Sequence, residues 1–294
     1  MIMNKGFSLI ELLVALVVTL GLAAMTFQLF HQNERVVRDQ NLVLEMQQTA
    51  RAVASQIADE IRMAGQGVPI HAAEFDPAPS EAAATILSSS SNTRIDFRAG
   101  LSNVETGVAA GEPRDFTIGA SRTLRVASAA GFSVGKFVYV WGPTANFAWT
   151  WLRADVGAVT ATSLTLTPVN TGTTETTIHF AAPPTAAMEE VVSIFLSNGT
   201  VRRATAANMN NLSSPVWSGA NEIGRNCTAL SFTYYDADGR VVQPSSLSNR
   251  MVIARVDIRL TVEVASPLSN GSRPTFSLAI RTIPRNLQLR PPPM

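Results

Sequence analysis

The sequence predicts an α+β protein: a long N-terminal helix, first apolar and then amphipathic, packed on a β-rich C-terminal head. Three observations carry this. From Phe7 to Phe30 the only charged residue is Glu11. From His31 to Ala64 there is no proline or glycine, and Met46, Ala50, Val53, Ile57, Ile61 and Ala64 recur at steps of three and four. From Arg94 to Ile283 short apolar or alternating runs are separated by turn residues, which reads as strands.

The apolar run comes first. At about 1.5 Å per residue it spans the roughly 30 Å hydrocarbon core of a bilayer as a helix. A carboxylate inside such a run costs roughly 2.5–3.5 kcal/mol on insertion scales, so Glu11 needs a partner or a task. No lysine, arginine or histidine lies within the run. Met1 to Gly6 is short and weakly charged for a secretory n-region, and the carboxylate argues against cleavage at Gly21-Leu22-Ala23. Gly21 is the one weak point of the apolar half. Lys5 favours a cytoplasmic N-terminus, while Arg35 and Arg38 argue weakly the other way.

These residues resemble a known family. Lys5-Gly6-Phe7 followed by Ser8-Leu9-Ile10-Glu11-Leu12-Leu13-Val14 is similar to the leader and helix start of type IV prepilins and type II secretion pseudopilins. The resemblance implies cleavage after Gly6 by a prepilin peptidase and N-methylation of Phe7. It also implies that Glu11 meets the terminal amine of a neighbouring subunit, inside an apolar filament core. The physics agrees, because cleavage creates a cation four residues from a costly carboxylate. Four residues is also about one helical turn, so Glu11 is equally within reach of its own terminus.

Beyond Phe30 the pattern predicts one continuous helix of roughly 85–90 Å in all. Glu34 and Arg38 are spaced as an i,i+4 ion pair, and Gly65, Gly67 and Pro69 stop the helix. The stripe from Met46 to Ala64 is expected to lie on a sheet. A coiled-coil stalk is the competing reading, but strong heptads are too few.

The expected organisation is a leader at 1–6, a transmembrane or filament-core helix at 7–30, an amphipathic helix at 31–66, a linker at 67–92 and a β-rich head at 93–294. The linker is rich in proline, alanine and serine, with Ile86 and Leu87 able to dock. Expected strands include Asp115–Ile118, Thr123–Ala127, Lys136–Trp141, Trp149–Ala154, Ser163–Thr167, Thr176–Phe180 and Val191–Leu196. Ser197-Asn198-Gly199 and Asp236-Ala237-Asp238-Gly239 read as turns, and Met251–Val264 and Thr275–Ile283 as long alternating strands. The tail from Arg290 is expected to fray.

The interval 117–180 stands apart as a possible inserted small barrel. It holds Phe132, Phe137, Tyr139, Trp141, Phe147, Trp149 and Trp151. A barrel core is the expected role, since Phe137–Trp141 is apolar on both faces. The alternative is a binding module in which Trp141, Phe147, Trp149 and Trp151 stack on a sugar or a protein, with Phe147 and Trp149 the residues expected to be exposed.

Composition narrows the rest. A net charge of +1 over 294 residues gives no whole-chain case for a nucleic-acid binder. The arginines after Cys227 outnumber the acids, which suits a solvated strand face or a basic patch. Cys227 is the only cysteine, so an intrachain disulfide is impossible and a buried thiol is expected; many pilins do carry such a disulfide. Gly131-Phe132-Ser133-Val134-Gly135 matches G-x-S-x-G, with Asp155 and His179 following, but a strand follows where a nucleophile elbow needs a helix. His31, His71 and His179 are scattered, and Asp236–Gly239 lacks the later ligands of a calcium loop. No catalysis, cofactor or metal is expected.

The helix end Asp59-Glu60-Ile61-Arg62-Met63-Ala64-Gly65, the strand ending in Tyr234-Tyr235-Asp236-Ala237-Asp238-Gly239, and Ile283-Pro284-Arg285-Asn286-Leu287 are similar to PilW-type minor pilins. The J-type pseudopilins share the plan. The resemblance implies a non-enzymatic, single-pass inner-membrane protein with a periplasmic head that later sits at a pilus tip. It would help to prime or cap the pilus, in motility or adhesion. Its implied partners are the prepilin peptidase, the other minor pilins, the major pilin and the assembly platform.

Overall fold

The computed structural model of the chain describes residues 9–68, 80–145 and 149–284. Gly6, Phe7, His71, Phe147 and the tail from Arg290 lie outside the described residues. Helix α1, Leu9–Arg62, is continuous over 54 residues, about 80 Å at the standard rise. No proline interrupts it. Within its apolar half the Thr19 and Thr26 hydroxyls donate to the carbonyls of Ala15 and Leu22, one turn back, so neither is left bare in an apolar setting. Gly65 (φ 86°) and Gly67 (φ 72°) end the helix in the left-handed region. Gly65 N then donates to Arg98 O at 2.7 Å, and Gly100 N to Gln66 O at 2.7 Å, which ties the helix end to the head.

The head is built from two antiparallel sheets. In the first, strands β1 (Arg94–Arg98), β10 (Val191–Ser197), β11 (Thr200–Asn208) and β12 (Val216–Trp217) follow one another, with β13 (Asn221–Gly224) also on β11. In the second the order is β15 (Val241–Val242), β14 (Cys227–Tyr235), β16 (Arg255–Glu263) and β17 (Thr275–Thr282). Phe232 N donates to Asn92 O at 2.8 Å and the Tyr234 hydroxyl to Ser91 O at 2.8 Å, joining the second sheet to the approach of β1. One core serves both sheets: Met46, Val53, Ile57 and Ile61 of α1 pack with Phe97, Ile194, Phe232 and Ile258. Arg203 of β11 reaches Glu60 of α1 at 2.7 Å.

The Asn198-Gly199 turn joins β10 to β11 with both residues at positive φ, the geometry that matches strand twist in a two-residue hairpin. The strand expected from Met251 begins only at Arg255. Residues Leu247–Met251 form a short helix, α2, because Ser246 caps it by accepting from Asn249 N. The expected Glu34–Arg38 pair is also absent: Glu34 lies 3.5 Å from His31, and Arg38 3.5 Å from Asp39.

Between β1 and β10 the chain makes a long excursion. Strands β2 (Glu105–Gly107), β9 (Thr185–Met188), β5 (Phe137–Pro143), β6 (Trp149–Val159), β7 (Ser163–Thr171) and β4 (Arg122–Arg125) form a six-stranded sheet in that order. Its two edges meet. Val108 bridges Val126, Ala109 N donates to Arg125 O at 2.8 Å and Ala127 N to Gly107 O at 3.1 Å, so the sheet closes as a small barrel. The ribbon of β3 (Asp115–Thr117) and β8 (Thr177–His179) lies beside it. The barrel has its own core of Phe116, Leu124, Val138, Leu152, Leu166 and Phe180 among others. β2 and β9 fall on either side of the interval 117–180.

Candidate functional site

Three places in the fold bear on function. The first is the N-terminal half of α1. From Leu9 to Phe30 every residue is exposed, including Leu9, Leu12, Val17, Leu20, Phe27 and Phe30. This stretch is long and apolar enough to cross a membrane. Glu11 stands in its first turn, where the helix macrodipole favours a carboxylate. Along α1 the first buried residue is Met46, so full burial is confined to the C-terminal third of the helix. At the boundary the loop between β16 and β17 clips onto α1: Ser269 donates from N to Asp39 at 3.0 Å and from Oγ at 2.5 Å. The Ser269 hydroxyl, against opposing desolvation, holds the Asp39 carboxyl below its ordinary range. Leu268 of the same loop walls an open apolar groove with Val36, Val43 and Leu44.

The second place is the aromatic segment. β5 is central in the barrel sheet, between β9 and β6, as its two apolar faces require. Phe132, Phe137 and Tyr139 are buried, and Trp151 is 1% exposed with its ring 5.8 Å from Tyr139, edge to face. Trp151 is therefore a core residue and not a contact for a ligand. Trp141 is half-buried against the same cluster. Trp149 alone among the described candidates stands out, at 48% exposed, where β6 begins at the connected end of the β5–β6 hairpin. The three described candidates, Trp141, Trp149 and Trp151, do not form a common exposed surface.

The third place was not legible in the sequence. Glu189, just before β10, is fully buried and sits between two arginines. Arg98 Nε donates to its Oε1 at 2.6 Å, and Arg153 Nε to its Oε2 at 2.8 Å. The Tyr139 hydroxyl lies 3.2 Å from Oε1. Burial opposes ionisation of Glu189, but the Arg98 and Arg153 charges prevail and hold its carboxyl below the ordinary range. The signal available in the sequence was a charge in each of three strand-like runs, Phe97-Arg98-Ala99, Leu152-Arg153-Ala154 and Met188-Glu189-Glu190.

The catalytic motifs take structural roles. Gly131 (φ 88°) and Gly135 (φ 74°) frame a turn that leads into β5, a strand. His179 Nδ1 meets Asp115 Oδ1 at 2.5 Å on the exposed ribbon, away from Ser133 in sequence and sheet. Asp236 to Gly239 is a turn, closed by Asp236 N to Arg240 O at 3.0 Å. Among the described residues no three His, Cys, Asp or Glu side chains converge as a metal site. Cys227 is buried. On the outer face of the second sheet Arg255 and Arg281 both approach Asp257, and Arg273 approaches Glu263.

A family model of the prokaryotic N-terminal methylation motif matches residues 1–27. No curated protein matches the chain. Among solved structures, a type IV-like pilin from Thermus thermophilus is similar at 10% identity and a TM-score of 0.24, over 52% of this chain and 87% of that one. The chain thus carries an N-terminal methylation motif at the start of a long, bare apolar helix that ends in a β-rich head.

Proposed function

We propose that the chain is a PilW-like minor pilin: a non-enzymatic subunit, cleaved after Gly6 by the prepilin peptidase and methylated on Phe7. It waits in the inner membrane with its head in the periplasm, then joins other minor pilins and the major pilin on the assembly platform to prime or cap a type IV pilus. The observation that carries this reading is the fully exposed apolar stretch of α1, opened by the methylation motif and bearing Glu11 in its first turn. A plain anchor has no use for a carboxylate there; a filament core supplies the amine that offsets it. A head of more than 200 residues fits poorly in a repeating shaft, which favours low copy number near the tip.

Clean deletion tests this, scored in one culture for surface pili and for enzymes exported to the medium. Loss of pili with normal export is expected. Loss of export with normal pili identifies a J-type pseudopilin instead. Glu11→Ala separates assembly from anchoring: the variant inserts into the membrane as well as the parent but fails to enter filaments. Exposed Trp149 favours a second reading, a binding surface on the barrel. If Trp149→Ala leaves assembly intact and abolishes attachment, the tip is an adhesin.

A further inference from the structure

Glu189 stands at the neck of the barrel. β1 and β10 pair antiparallel from Arg94↔Phe195 to Arg98↔Val191, so the whole barrel takes the place of the loop between them. The default for a unit tethered by two adjacent strands is motion about the neck, unless the interface is large and apolar. Here Tyr139 and Trp151 pack on Val68, Ala82 and Ala83, and Phe137 on Leu87, Val191 and Met209, and buried charge is set among these apolar contacts. Arg98 is the last residue of β1, in the head; Arg153 and Tyr139 come from β6 and β5, in the barrel. All three address the Glu189 carboxylate. They also reach onward: Arg98 Nη1 donates to Ala84 O and the Tyr139 hydroxyl to Ala82 O, both in the segment after α1, while Arg153 Nη2 donates to Met209 O beyond β11 at 2.8 Å. Lys136, next to β5, adds bonds of 2.8 Å to the carbonyls of Ala206 and Ala207. The Arg153 guanidinium lies 3.6 Å over the Phe137 ring, which fixes its plane.

Apolar packing would hold such a junction with less desolvation cost, and the best-attested use of buried ions is to select one arrangement among several. Charge-assisted bonds from two arginines to the two oxygens of one carboxylate tolerate little rotation. We infer that Glu189 is a lock: it holds the barrel at one fixed angle to the head and turns a tethered insertion into a rigid extension of the first sheet. This inference does not depend on the filament reading.

The test is a distance measurement between spin labels on the full chain in detergent micelles. Cys227 is buried and stays unlabelled. Exposed Ala158 of β6 and Ala279 of β17 are each changed to cysteine to span the joint, and Ala130 with Ala158 gives a pair inside the barrel. The unaltered joint is expected to give one narrow distance across it. Glu189→Gln is expected to broaden that distance severalfold and leave the pair inside the barrel narrow. The lock is overturned if the parent is already broad across the joint, if Glu189→Gln stays narrow, or if the pair inside the barrel broadens as well. If Glu189→Gln does not fold, the triple change Arg98→Met, Arg153→Met and Glu189→Leu decides, since it leaves no unpaired charge. A broad distance in that variant supports the lock, and a narrow one shows that packing alone sets the angle and overturns it.

Discussion

At Glu189 burial and pairing oppose each other, and the outcome sets a pH dependence. The folded carboxyl lies below its ordinary value of 4.5 because two guanidinium charges outweigh desolvation. A depressed folded pKa gives stability that is present above the unfolded value and lost as pH falls through the folded one. The unfolding midpoint of the full chain should therefore hold from neutral pH down to the ordinary carboxylate range and fall only below it. Glu189→Gln should remove that contribution at neutral pH, at a cost of about 3–5 kcal/mol for a buried pair that loses one partner, read by denaturant unfolding. A variant as stable as the parent contradicts the ionised cluster. At the alkaline end the sign reverses. Burial pushes the Tyr139 and Tyr234 phenols above their ordinary 10.0. The unfolded chain then loses protons that the native state keeps, so stability falls as pH rises past that value. The chain has three tyrosines, so absorbance of the second and third tyrosinates should appear together with loss of near-ultraviolet dichroism; ionisation of all three phenols in a folded chain would refute it. Glu11 was legible in the sequence because a single charge in an apolar run is visible locally. Glu189 was not, because its partners lie 91 and 36 residues away and only the fold brings them together.

Among the elements, those with a strong period were the legible ones. The stripe from Met46 to Ile61 is buried as its three-and-four spacing requires, and Leu230, Phe232 and Tyr234 of β14 point into the same core. Short elements were missed for want of a period. β2 and β9 have three and four residues and little apolar alternation, and their place in the barrel depends on closure. α2 is set by the Ser246 cap, which a run of Ser and Asn does not single out. One contact between elements was invisible to any pattern. β13 comes so close to α1 that a Cβ on Gly224 would stand 2.3 Å from Val53 Cγ2. Valine is stiff at χ1 and cannot swing aside cheaply. Gly224→Ala should thus destabilise by about 1–3 kcal/mol through overpacking. Val53→Ala removes the obstructing methyls, so the double variant should be more stable than the sum of the two single changes predicts. Strict additivity in denaturant unfolding would show that β13 and α1 do not meet there.

Over the whole molecule, the division of labour along α1 was legible and the place of the barrel was not. Composition changes at Phe30 and the apolar stripe starts at Met46, which separates an exposed apolar half from a head-bearing half. That the barrel replaces the β1–β10 loop rests on pairing between Arg98 and Val191, and strand partners that far apart leave no local mark. The division has a measurable consequence. Nothing from Leu9 to Phe30 is buried, whereas the contacts that hold α1 to the head begin with Asp39 on Ser269 and with Leu42 and Val43 against the core. The N-terminal half should then contribute nothing to the stability of the head, although it exposes far more apolar surface than a soluble monomer tolerates. A chain of residues 31–294 should stay monodisperse without detergent. Compared in one detergent, it should share the denaturant midpoint and slope of the full chain, because the slope follows the surface exposed on unfolding. A chain of residues 45–294 loses the Asp39 clip and the packing of Leu42 and Val43, so its midpoint should drop while its barrel core stays intact. A drop already at residue 31 would mean that the apolar half folds back on the head, and an exposed helix ready for a membrane or a filament would no longer describe the molecule.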